Sequence, residues 1–93
     1  MKSGRYEVVG LIVDGLEIDL ESGELFVADG EVTGALRVLN LSTYFDLDIV
    51  RDPHLMEFEV RGHGKVSGTY QIDEMGSVRG PSMATYLKIT RVN

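Results

Sequence analysis

The residues able to do acid–base or metal chemistry gather around one stretch, with His54, Glu57, Glu59 and His63 in close succession. Two imidazoles and two carboxylates are a donor set for zinc or manganese. Their spacing argues against that use. Extended strand rises about 3.3 Å per residue, which holds the two histidines roughly 25–30 Å apart. They read as solvated turn residues, one next to Pro53 and the other next to Gly62. Asp14, Glu17, Asp19 and Glu21 are calcium-ligand types without the spacing of an EF-hand loop.

Other chemistries fare no better. Ser42, Ser67, Ser77 and Ser82 lie outside any Gly-x-Ser-x-Gly elbow. Glu57/Glu59 and Asp46/Asp48 are same-face acid pairs, which is how the wet face of a sheet looks. Residues 76–80 (Gly-Ser-Val-Arg-Gly) join glycine backbone to a cation, but they lack the lysine and helix of a P-loop. They read as a loop in which Arg79 is the candidate anion contact. With no cysteine, disulfides and thiolate chemistry are excluded. No metal, cofactor or catalytic residue is expected, and the balance leans away from an enzyme.

The elements that must position these residues are strands. In 63–72, Val66, Gly68, Tyr70 and Ile72 share one face, and Lys65, Ser67, Thr69 and Gln71 share the other. Val32, Gly34, Leu36 and Val38 repeat that apolar order 34 residues earlier, and Val8, Gly10 and Ile12 echo it weakly. Inward glycines on several strands suit a sheet that curls. Asp14-Gly15 and Asp29-Gly30 are hairpin-turn pairs, and Ser22-Gly23 reads as a third turn. Alternation predicts further strands over 43–50, 55–61 and 84–92, while 74–83 looks irregular. No sustained helical period occurs. The expectation is an all-β domain over 1–93, an eight-stranded antiparallel meander closing as a β-barrel, first strand against last. A two-sheet sandwich is the alternative.

Charge bounds the partners. The net charge is −6, and all of that excess falls in residues 1–31. An acidic chain repels phosphate backbones, so nucleic acid is not expected. No stretch has the length of a membrane span, and the first residues hold no apolar run of signal-peptide type. A cytoplasmic protein is expected. Residues 5–13 carry apolar side chains on both faces. Combined with the thin core of a chain this size, that favours a homodimer. The favoured function is therefore a noncatalytic binding or assembly module that self-associates through its first strand. The alternative is a carrier or barrel enzyme with a pocket for a small apolar ligand at the barrel mouth. Tyr70, Phe58, Tyr86 and Leu36 would line that pocket, with Arg79 in the gating loop 74–83.

Overall fold

Two turns organise the first third of the chain. Asp14 and Gly15 have φ of 50° and 83°, and Asp29 and Gly30 have 53° and 78°. Positive φ at both central residues matches the right-handed twist of flanking strands and makes tight hairpins. They link β1 (Gly4–Val13) to β2 (Leu16–Ile18) and β3 (Leu20–Ala28), and β3 to β4 (Glu31–Leu39). β5 (His54–Val60), β6 (Gly64–Val78) and β7 (Ala84–Arg91) follow. This computed structural model of the chain describes residues 1–39, 52–78 and 84–92. The strand expected over 43–50, Arg79 and the rest of 79–83 lie outside the described residues, whereas 74–78, expected as part of an irregular gating loop, continue β6 and pair with β7.

The fold is all-β and antiparallel. Around the closed barrel the order is β1, β3, β4, β7, β6, β5 and back to β1, with β2 an additional strand on β1. Six strands close it, and β2 and β3 are one path interrupted at Asp19. Among the described residues no helix is long and apolar enough to cross a membrane.

Closure differs from the expected meander. β1 pairs with β5, not with the last strand, and β7 inserts beside β4. Two three-stranded units, β1–β3–β4 and β5–β6–β7, are therefore joined along two seams. Both closures alternate strand direction throughout, so hydrophobic periodicity does not distinguish them. In sequence β4 and β5 are separated by residues 40–53, where a two-residue turn would have made them neighbours. Asp14 pins one seam: its carboxylate meets His54 Nδ1 at 2.5 Å and accepts from the Leu55 N–H at 3.1 Å. At the other end Arg61 N–H donates to the Glu7 carbonyl at 3.0 Å.

A β-bulge explains the doubly apolar first strand. The β1–β5 register shifts between Val8 and Gly10. An extra residue flips the inside–outside phase. Val8 points inward before the bulge, and Leu11 and Val13 point inward after it. Gly10 therefore faces outward against Glu59, contrary to the expected inward run of Val8, Gly10 and Ile12. Ser22-Gly23 is no turn either. Gly23 lies within β3, buried and paired with Leu36.

Side chains fill the barrel interior. Leu25, Leu36, Met56, Phe58, Tyr70, Ile72, Leu87 and Ile89 are its largest buried members. Gly34 and Gly68 both face inward, opposite Leu25 and Met56. The Phe58 and Tyr70 rings meet edge to face at 5.1 Å, an arrangement favoured by their quadrupoles.

Tyr70 is fully buried, and its hydroxyl has no hydrogen-bond partner among the described residues. An unpaired buried hydroxyl costs about 1–3 kcal/mol. Tyr70→Phe is therefore expected to melt no lower than the parent. Burial also raises the Tyr70 pKa above its ordinary 10.0, an effect that the nearby Arg91 charge opposes. As pH rises through that value the unfolded chain ionises while the folded one holds its proton, so stability falls. Melting curves above pH ~10 should show a shallower alkaline decline in the phenylalanine variant. A lowered midpoint near neutrality would instead reveal a hidden partner for the hydroxyl.

Candidate functional site

The anticipated pocket residues divide between two places. Phe58, Tyr70 and Leu36 are inside, each almost wholly buried. Tyr86 is on the outer face, paired with Arg37 and Gly76. Its ring lies so close over Gly76 that an added Cβ would come within 2.6 Å of it. The Tyr86 hydroxyl donates to the Glu74 carboxylate, which also meets Lys88 Nζ at 3.5 Å. That hydrogen bond and then the Lys88 charge hold the Glu74 carboxyl below its usual range. The same hydrogen bond raises the Tyr86 phenol. Tyr86 is thus held by β6 and does not enter the interior.

The histidines sit apart from any donor cluster. His54 is engaged with Asp14, and the His63 ring packs edge to face on Tyr6 at 4.9 Å. Among the described residues no group of three or more His, Cys, Asp or Glu could hold a metal ion.

A concave site opens on the outer wall instead. β1 pairs with β3 from Gly4 to Glu7 and with β2 from Leu11 to Val13. The register of β1 with β3 ends at Glu7↔Glu24 and resumes with β2 at Leu11↔Ile18. Val8 and Gly23 stay in contact across the seam, a Cβ on Gly23 coming within 3.3 Å of Val8 Cβ. Bulges flank this stretch on both sides, at Val8/Gly10 in β1 and Leu20/Ser22 in β3. Such irregularities end pairing locally and re-aim side chains. The result is a cleft of about 930 Å³ lined by outward residues of β1, β3, β4 and β7, with Val8, Gly23 and Leu36 also lining it. That volume lies within the range of small-ligand sites. Two of the anticipated residues, Leu36 and Tyr86, border this cleft.

Register determines what the cleft presents. Ser22 pairs with Arg37, and Arg37 pairs with Tyr86, so the three form a row across β3, β4 and β7. Three arginines line the cleft. Arg5 forms an ion pair with Glu24, and Arg61 Nε reaches Glu7 Oε2 at 2.6 Å. Arg37 makes no ion pair or side-chain hydrogen bond among the described residues. Val9, 46% exposed on the bulge, adds an apolar contact at the edge. The cleft can therefore accept a negative group at Arg37 and an apolar group at Val9. Among the described residues that line it there is no nucleophile–base pair.

Arg37, Ser22 and Val9 escape sequence reasoning for different reasons. Arg37 alternates outward between Leu36 and Val38, like any solvated arginine. Ser22 reads as part of a turn. Only Tyr86 carried a usable signal, because inward Leu87 and Ile89 already put it outside. Comparison with family models, with curated proteins and with solved structures finds no match.

Proposed function

We propose that this chain is a noncatalytic binding module whose contact surface is the outer cleft between β1 and β3. The observation that carries this is Arg37, a guanidinium with no ion pair or side-chain hydrogen bond among the described residues, in a depression whose other arginines are already neutralised. An exposed guanidinium not committed to a neighbour is free to meet an anionic group. The interior pocket has less in its favour, because Leu36, Phe58 and Tyr70 pack against core neighbours. Self-association through β1 also loses support. The bulge turns Val8, Leu11 and Val13 inward and leaves only Val9 and half-buried Ile12 outside.

Amide chemical-shift mapping with small probes tests this: a dicarboxylate, an alkylamine and a neutral aromatic. The carboxylate is expected to move Ser22, Ala35, Arg37 and Tyr86 selectively. Arg37→Gln should abolish that response while changing stability by no more than about 0.5 kcal/mol, as for an exposed residue. Shifts centred on Phe58 and Tyr70 would move the site into the barrel. A sedimenting dimer that Val9→Asp dissociates would restore the assembly function.

A further inference from the structure

The position opposite Arg37 decides what the cleft can hold. Its register partner on β3 is Ser22. Residues directly opposite on one face have Cβ atoms about 4.5–5.5 Å apart. Both are exposed, so both point away from the outer wall. Like Arg37, Ser22 makes no side-chain hydrogen bond among the described residues. The Tyr86 hydroxyl, on the other side of Arg37, is already engaged by Glu74. A guanidinium fork and one hydroxyl therefore stand side by side as uncommitted donors. A carboxylate has two oxygens to receive them. Charge sets the number of such groups at one. The cleft holds Arg5, Arg37 and Arg61 against Glu7, Glu21 and Glu24, and Arg5 and Arg61 are engaged by Glu24 and Glu7. A second negative charge would lie among those carboxylates, where like-charge repulsion is costly.

Resting on the cleft assigned above, we infer that its ligand is a small monocarboxylate with an apolar body. The carboxylate sits between Arg37 and Ser22, and the body lies along Val9 and Ala35. Those two residues line the cleft from β1 and β4, on either side of β3. Val9 is exposed at the bulge and Ala35 is a short exposed side chain, so the body covers apolar surface that the wall leaves open. Every contact is an outward side chain. The barrel stays closed, and the β1–β3 seam with its Val8–Gly23 contact is undisturbed.

The experiment titrates the full chain with phenylacetate and follows amide chemical shifts. Amides of Val9, Ser22, Ala35 and Arg37 are expected to move together. Phenylacetamide has nearly the same shape without the charge, and should bind about tenfold more weakly, as for loss of a charged hydrogen bond. Acetate should also bind more weakly, since it has no body to cover Val9 and Ala35. Ser22→Ala should weaken phenylacetate about threefold or more while the spectrum away from the cleft stays unchanged. Val9→Ser should narrow the gap between phenylacetate and acetate. If glutarate or inorganic phosphate binds as tightly as phenylacetate, or if Ser22→Ala changes nothing, the monocarboxylate inference falls and the cleft assignment stands. If none of these anions moves the cleft amides, both fall. Shifts centred on Phe58 and Tyr70 would overturn both as well.

Discussion

Phe58→Ala is expected to remove a large share of the stability of this protein. The ring is fully buried, touches the Tyr70 ring edge to face and comes from β5, the strand that closes the barrel on β1. Truncating a buried phenylalanine costs about 3–5 kcal/mol, because the transfer term and the residual cavity add. A domain of this length has about 5–14 kcal/mol in total. At roughly 4–8 °C per kcal/mol, the melting midpoint should fall by about 12–40 °C. Thermal or urea unfolding followed by circular dichroism measures this directly. A fall of only a few degrees would mean that the barrel end repacks around the gap. Phe58→Leu separates the two cases, since it keeps most of the volume and should cost much less.

The second large effect is overpacking, at Gly34. An added Cβ there would come within 2.8 Å of Ile89 Cγ1 and 3.0 Å of Leu25 Cδ2. Both neighbours are fully buried on adjacent strands and have nowhere to go. Gly34→Val should therefore cost about 3 kcal/mol, and Gly34→Ala less. Gly68 is the informative control. Its added Cβ would meet Arg91 Nε at 3.0 Å and Tyr70 Cε1 at 3.3 Å. Arg91 is exposed and has a long, flexible side chain, so Gly68→Val should cost clearly less than the same change at Gly34. Equal losses at the two positions would contradict this packing difference.

These two glycines also show how far the fold was legible. Residues 31–39 and 54–60 alternate cleanly, and their faces are as the pattern implies. Both Asp-Gly pairs make the turns their φ preferences require. Reading fails where one residue shifts phase. Val8-Val9-Gly10 is apolar throughout, so composition does not reveal that a bulge sends Val8 and Leu11 to the same side. Gly23 looks like a turn because it follows serine, yet its missing side chain makes room for Leu36 within a strand. Closure was illegible because β1·β5 and β1·β7 pairing satisfy the same alternation. The cleft was hidden for the same reason as the bulge. Val9, Ser22, Arg37 and Tyr86 come from four strands, and it is the cross-strand register and the β1 bulge that place them on one stretch of the outer wall. Of the anticipated residues, Tyr70, Phe58 and Leu36 were correctly read as apolar and inward. Their role as packed core follows from how fully their neighbours fill the barrel.

The two seams that join the halves have a kinetic consequence. Val8 meets Val60, and Thr33 meets Thr90, partners separated by more than half the chain. Neither half completes its own edges, so a fragment ending before β5 would expose β1 and β4 together. Such high relative contact order places folding on a timescale of milliseconds to seconds, because loop closure must precede the reward of pairing. Unfolding is therefore expected to be cooperative, both seams being lost together.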